Sequence, residues 1–220
     1  MRASQPLDPE GIRSVTKRLF DLMVAGVGLL ILSPFMFAIA VLIKLSSSGP
    51  VVYAGNRIGR FGEPFRLLKF RTMVANADKI GGPSTPVDDP RVTKTGRVLR
   101  CYKLDELPQL INVLKGEMSL VGPRPEVAAE VDMYSPEQRE LLRVRPGITD
   151  WASMKFHNEG EILKGSVDPH RTYQEQIRPE KVRLGLEYVN KHSFHVDMQI
   201  LFGTLRILLK TRVKNHSRGR

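Results

Sequence analysis

Residues 22–43 read LMVAGVGLLILSPFMFAIAVLI, 22 positions without a charge. A straight helix of that length rises about 33 Å, enough to cross the hydrocarbon core of a bilayer. A secretory signal fits poorly, because the run exceeds a usual h-region and Lys44-Leu45 stands where small cleavage-site residues belong. The length also exceeds what the core of a small soluble domain uses, so the segment is expected in a membrane. Ser33-Pro34 divides it into halves of about 11 residues, each reaching roughly 16 Å. Proline removes a backbone donor and crowds the preceding turn, which bends or breaks a helix. Basic residues flank both ends: Arg13, Lys17 and Arg18 before it, then Lys44, Arg57, Arg60 and Arg66 after it. Cytoplasmic retention of Lys and Arg at both ends favours a re-entrant hairpin over a kinked span, which proline also permits.

Outside this run the chain is basic. Its 34 Lys+Arg against 23 Asp+Glu give +11, so the expected partner is anionic. Residues 206–220 hold Arg206, Lys210, Arg212, Lys214, Arg218 and Arg220 and no acid. Nucleic acid is not expected: no binding motif is present, and the few aromatic residues are not interleaved with the basic ones. One cysteine, Cys101, excludes an internal disulfide framework and fits a reducing compartment. With hydrophobic residues at 41 % the chain is too apolar to be disordered.

The stretch 51–71, VVYAGNRIGRFGEPFRLLKFR, predicts two short strands about a glycine-containing connection. Residues 76–92 read as a loop. Residues 105–115, DELPQLINVLK, carry apolar positions 107, 110, 111 and 114, a helical stripe stopped by Gly116. VGPRPE at 121–126 is a proline-stiffened loop, and 126–143 and 179–191 look helical. DMQILFGTLRILLKTRV at 197–213 reads as an amphipathic helix, with Ile200, Leu201, Leu205, Leu208, Leu209 and Arg212 on one side and Arg206 and Lys210 on another. Its charges forbid a span and suit an anionic membrane interface, an ordinary packed helix being the plainer alternative. The fold class is thus α+β, mostly helical, with a membrane helix broken at Ser33-Pro34, a small β element and interfacial amphipathic helices. Residues 1–48, 49–196 and 197–220 form tail and membrane helix, central domain, and basic C-terminal helix of one structural unit.

Chemistry points to Asp105-Glu106, expected to open the 105–115 helix, where free N–H groups and the helix dipole keep a carboxylate ionised. An Asp in that place is commonly only a cap. The cations around it change the balance: Lys69, Arg71, Arg100 and Lys103 before it, Arg124 clamped between Pro123 and Pro125, and Arg145 after it. A guanidinium held by two prolines presents a planar fork suited to phosphate oxygens. His192 and His195, without a third ligand, read as surface residues.

The run KLDELPQLINVLKGEMSLVGPRPE, with KRLFD at 17–21, ILSP at 31–34, RIGRFGEPFRLLKFRTM at 57–73 and VRPGIT at 144–149, resembles the bacterial sugar transferases, the small monotopic phosphoglycosyl transferases of polyprenyl phosphate. The resemblance spans residues 13 to about 213 and looks like the form consisting of the catalytic domain alone. It implies transfer of a phospho-sugar from a UDP-sugar to undecaprenyl phosphate, releasing UMP, at the cytoplasmic face of a bacterial inner membrane. It further implies Asp105 as nucleophile, Glu106 assisting, and Mg²⁺ at the two carboxylates. Lys69, Arg71, Arg100, Pro123, Arg124, Pro125 and Arg145 would serve the phosphates, and Ser33-Pro34 would make the first helix re-entrant. Anionic lipid, and a second copy of the chain in a homodimer, join the expected partners. The alternatives are a transferase moving only the sugar, which leaves UDP, and a non-catalytic membrane-surface scaffold. After RPGIT, where members of the family commonly continue Gly-x-Ala-Gln-Val-x-Gly-Arg, this chain has Asp150-Trp151-Ala152-Ser153-Met154-Lys155-Phe156-His157-Asn158-Glu159, and Gly185 stands where an Asp is common.

Overall fold

A computed structural model describes residues 9–82 and 84–218, with side chains placed for 15–77, 80–82 and 84–210. Arg13, Arg212, Lys214, Arg218 and Arg220 lie outside the side chains described. The chain begins with α1 (Pro9–Ser46), followed by the antiparallel hairpin of β1 (Val52–Ile58) and β2 (Pro64–Phe70), α2 (Ala77–Ile80) and α3 (Lys94–Cys101). Next come a 3₁₀ turn at Leu104–Glu106, α4 (Gln109–Lys115), β3 (Ser119–Val121), α5 (Ala128–Asp132), a 3₁₀ segment at Gln138–Arg143 and β4 (Gly147–Thr149). Then follow α6 (Trp151–Lys155), α7 (Glu159–Ile162), α8 (Pro169–Thr172), a π turn at Tyr173–Ile177, α9 (Arg178–Lys191) and α10 (Phe194–Arg218). The molecule is therefore mostly helical with two small sheets.

The expected break at Ser33-Pro34 is not a break in secondary structure, since α1 runs through Pro34. The carbonyl of Leu30 would ordinarily receive the N–H that proline lacks, and it accepts from Ser33 Oγ at 2.9 Å instead. Within the stretch Val15–Ser46 the most apolar 18-residue window is only 11 % buried, so this is not the core helix of a soluble domain. Both arms nevertheless pack on the globular body. Ala25 joins a core with Leu67, Val113, Met118, Leu120, Tyr188 and Ile200, while Ile39 and Ile43 pack with Phe70 and Leu99. Between the arms, Leu30 and Phe37 are 77 % and 72 % exposed.

The KRLFD segment is fastened to the body by charge. Lys17 Nζ donates to Asp197 Oδ2 at 2.6 Å and to Val121 O at 3.1 Å. The Tyr188 hydroxyl donates to Asp197 Oδ1 at 2.7 Å and lies 3.1 Å from the same carbonyl, and Asp21 Oδ1 accepts from Leu120 N. Three helices thus meet on β3. Because the Asp197 side chain is 4 % exposed, removing its cation strands a buried carboxylate. Lys17→Met is expected to cost about 3 kcal/mol, and pairing it with Asp197→Leu to recover part of that loss, read from urea midpoints of the detergent-solubilised protein.

The two strands read from 51–71 form as expected. The 126–143 stretch does not form one helix: Pro125 precedes a five-residue α5, and the chain re-enters only as 3₁₀ turns. On α10, Ile200 turns inward and is fully buried, whereas Phe202, Leu205 and Leu209 form an exposed stripe beside Arg206 and Lys210. The outward apolar face therefore differs from the expected one: the core claims Ile200 and half-buries Leu201, Leu208 is half-buried, and Phe202 joins Leu205 and Leu209 outside. His192 and His195 are exposed.

Candidate active site

The site is assembled by three close approaches of backbone. Asn112 of α4 is fully buried, with its Oδ1 accepting from Leu68 N at 3.0 Å and its Nδ2 donating to Arg66 O at 2.8 Å. This clamp on β2 presents Lys69 to the turn that precedes α4. Gly96 allows α3 to lie against the backbone of Thr72, where any Cβ would collide with the Thr72 carbonyl. Arg100, one turn further along α3, then donates from Nε to Thr72 Oγ1 at 2.9 Å. Arg124 is held from both sides: Gly147 N donates to Pro123 O at 3.0 Å and Ile58 N to Glu126 O at 2.9 Å.

At the focus stand Asp105 and Glu106, 6 % and 9 % exposed. Glu106 Oε1 accepts from Lys69 Nζ and from Arg124 Nη2, each at 2.8 Å. Burial alone would raise the Glu106 carboxyl, but Arg124 and Lys69 override it and hold the group well below its ordinary range. Asp105 differs. Its Oδ1 is buried without a hydrogen-bond partner, and burial raises its carboxyl above the ordinary range against the pull of Lys69 and Arg100. Two adjacent carboxylates are thus distinguished by environment, one neutralised by two cations and one left with a free oxygen.

Asp105 does not open a long helix as expected. Lys103 takes a left-handed conformation (φ 55), the dyad occupies a single 3₁₀ turn, and Pro108 delays α4 to Gln109. Its environment is set by burial among cations, not by a long helix opening at it.

Two expected phosphate ligands lie elsewhere. Arg71 is 7 % exposed, and its guanidinium donates to the carbonyls of Ser47, at 2.7 Å, and Pro50, and to Ser47 Oγ at 2.8 Å. It closes the C-terminal end of α1, where unsatisfied carbonyls need donors. Arg145 donates from Nε to Gly116 O at 2.9 Å, at the end of α4 opposite the dyad. Lys69, Arg100 and Arg124 are brought to the carboxylates from elsewhere in the chain, with Pro123 and Pro125 flanking the last, and the neighbouring Lys103 adds its charge.

Beyond Arg124 a shallow cleft is lined by Glu126, Tyr134, Asp150, Ser153 and Lys181. Asp150 accepts from Ser153 N at 2.6 Å and so caps α6, and burial raises its carboxyl, as it does that of Glu126. Sequence reasoning missed Glu126, although it closes the VGPRPE motif. Gly185 abuts this wall, where a Cβ would stand 2.7 Å from Leu141 Cδ2 and 3.7 Å from Pro123 Cβ.

Comparison with known proteins gives a consistent result. A family model described as bacterial sugar transferase matches residues 12–211. The chain is 38 % identical over 204 residues to the UDP-N-acetylgalactosamine-undecaprenyl-phosphate N-acetylgalactosaminephosphotransferase of Aeromonas hydrophila, covering 91 % of this chain and 45 % of that protein. It is 39 % identical over 203 residues to the UDP-glucose:undecaprenyl-phosphate glucose-1-phosphate transferase of Escherichia coli, covering 89 % of this chain and 40 % of the relative. It is 36 % identical over 217 residues to the exopolysaccharide production protein ExoY of Sinorhizobium fredii, covering 91 % of this chain and 88 % of the relative. The chain thus spans less than half the length of the first two relatives and most of the third.

Proposed function

The chain belongs to the bacterial sugar transferase family, and from that premise we propose that it moves a sugar-1-phosphate from a UDP-sugar to undecaprenyl phosphate, releasing UMP. The observation that carries this reading is the buried Asp105, whose Oδ1 lacks a partner, beside a Glu106 already neutralised by Lys69 and Arg124.

In the first step an Asp105 carboxylate oxygen attacks the sugar-bearing phosphorus of the donor. The phosphoanhydride bond breaks, and UMP departs with the electron pair. An oxygen of undecaprenyl phosphate then attacks the same phosphorus, the bond to Asp105 breaks, and undecaprenyl-diphosphate-sugar leaves with the carboxylate restored. Phosphoryl transfer of this kind asks for in-line placement and for cations around the moving oxygens. Lys69 and Arg124 are already on Glu106, and Arg100, braced on Thr72, stands near Asp105. The free oxygen of Asp105 and the neighbouring Glu106 also suit Mg²⁺, which binds through one or two carboxylates plus substrate phosphates. When bound there, the ion would offset charge on the diphosphate.

The same reading sets the chain on the cytoplasmic face of a bacterial inner membrane, serving exopolysaccharide or related glycoconjugate assembly, with α1 entering and leaving on one side. Support comes from the two arms packed on one body and the exposed Leu30–Phe37 region between them. Replacing Ser33 by Ala and Pro34 by Leu restores an ordinary N–H at position 34 and is expected to shift α1 toward spanning. Labelling an Ala3→Cys probe in a Cys101→Ser background reports the side. A native N-terminus outside the cytoplasm would discard the hairpin.

The function itself is tested by offering UDP-sugars with undecaprenyl phosphate and identifying the nucleotide released. UMP is expected. UDP as the sole product would instead indicate a transferase of the sugar alone, and no turnover with any donor would leave the scaffold.

A further inference from the structure

The hairpin carries a cation that neither the dyad nor the expected phosphate ligands account for. In β1–β2 the opposed pairs Tyr53↔Lys69, Gly55↔Leu67 and Arg57↔Phe65 share one face, because directly opposed residues of an antiparallel pair point the same way. Lys69 reaches Glu106 from that face, and Leu67 enters the core beside it. Arg57 therefore projects toward the same side as Lys69, four positions along the hairpin. The adjoining Ile58 N–H donates to Glu126 O, which ties this end of β1 to the loop bearing Arg124. Burial lowers the Arg57 guanidinium and Tyr53 opposes it, while a smaller repulsion from Arg124 lowers it further and Glu126 opposes that. Tyr53 folds over Gly55, where a Cβ would lie 2.8 Å from its ring.

Against this crowding Arg57 has little compensation. Its Nη1 donates to the carbonyl of its neighbour Asn56 at 2.7 Å, and among the described residues it forms no ion pair. A half-buried guanidinium beside a second arginine needs an anion to offset the desolvation and repulsion. Its remaining donors form a planar fork of the kind that grips phosphate oxygens.

We propose that Arg57 is a phosphate-binding residue, completing with Arg124 and Lys69 an arc of cations that receives a substrate phosphate group. The inference rests on the transferase reading for the identity of that substrate, and two sources share the chemistry: the diphosphate of the nucleotide sugar and the monophosphate of the lipid.

The test uses the full chain in detergent micelles, as wild type, Arg57→Met and Arg57→Lys. Binding of UDP and of inorganic pyrophosphate is followed by calorimetry, and the KM for undecaprenyl phosphate by UMP release. Loss of one charged hydrogen-bonding group is expected to weaken the affected constant about 10-fold or more in Arg57→Met and less in Arg57→Lys, at unchanged melting temperature. A loss confined to UDP and pyrophosphate assigns the donor diphosphate, and one confined to the lipid KM assigns the acceptor. Constants all within about two-fold of wild type overturn the proposal. Should Arg57→Met fail to fold, Arg57→Lys and Arg57→Gln carry the same comparison. A wild type that releases no UMP but loses pyrophosphate binding on Arg57→Met would sink the transferase reading and leave this inference standing.

Discussion

Under the proposed reaction Asp105→Asn is expected to abolish turnover, lowering UMP release by roughly 10³-fold or more, because the amide keeps the shape of the side chain and removes the proposed nucleophile. The protein should otherwise be intact. In the folded protein burial raises the Asp105 carboxyl, so an ionised Asp105 opposes folding at neutral pH. The neutral amide lifts that cost, and the melting temperature should equal or exceed that of the wild type. Glu106→Gln should behave in the opposite way. It strips Lys69 and Arg124 of their shared carboxylate and leaves two half-buried cations facing one another, so stability falls along with activity. Incubating the protein with labelled UDP-sugar and Mg²⁺, without acceptor, should place the label on the wild type and on no Asp105→Asn chain, read by intact mass. Full activity in Asp105→Asn would remove this residue as nucleophile.

The second large effect is expected at Gly147. Here β4 pairs in parallel with β3, and the Gly147 N–H donates to Pro123 O at 3.0 Å, immediately before Arg124. A Cβ at Gly147 would fall inside the van der Waals envelope of the Gly122 backbone, so no side-chain rotation relieves it. Overpacking ordinarily costs about 1–3 kcal/mol, and a clash against the Gly122 backbone should reach or exceed the top of that range. Gly147→Ala is accordingly expected to yield little folded protein. Any folded fraction should show a larger loss of kcat than Arg124→Lys, since the whole Pro123–Pro125 loop shifts. Wild-type expression and activity in Gly147→Ala would show that β3 and β4 separate freely, contrary to this packing.

Much of the candidate site was legible in the chain. Asp105, Glu106, Lys69, Arg100 and Arg124 stand in motifs whose residue types already suit phosphate chemistry, and the structure collects all five. Arg71 and Arg145 show why charge alone misleads. Each is an arginine near the same motifs, yet one closes the C-terminal end of α1 and the other the end of α4. A one-dimensional reading cannot tell a guanidinium that meets carbonyls from one that meets carboxylates. Arg57 was read as a basic flank of the membrane segment and as the first residue of the 57–73 motif, but not as a phosphate ligand, because its company with Lys69 comes from strand register and its company with Arg124 from a loop about 65 residues away.

Local pattern decided what depends on neighbours in the chain. The uncharged run 22–43 has the length and polarity of a membrane helix, the 51–71 alternation makes a hairpin, and Gly116 stops α4 with φ 87. Tertiary structure decided whatever depends on distant partners. The β3–β4 pair joins segments too short and too uniformly buried to carry a strand signal of their own. The course of α1 through Pro34 depends on one serine hydroxyl taking the carbonyl that proline leaves, a local device whose use only coordinates reveal. The inward turn of Ile200 depends on Ala25, Val113 and Tyr188 being there to cover it. The contrast between Asp105 and Glu106 is the clearest case. The two acids are adjacent and chemically alike, and the convergence of Lys69 and Arg124 on one of them leaves the other with a buried oxygen that has no hydrogen-bond partner.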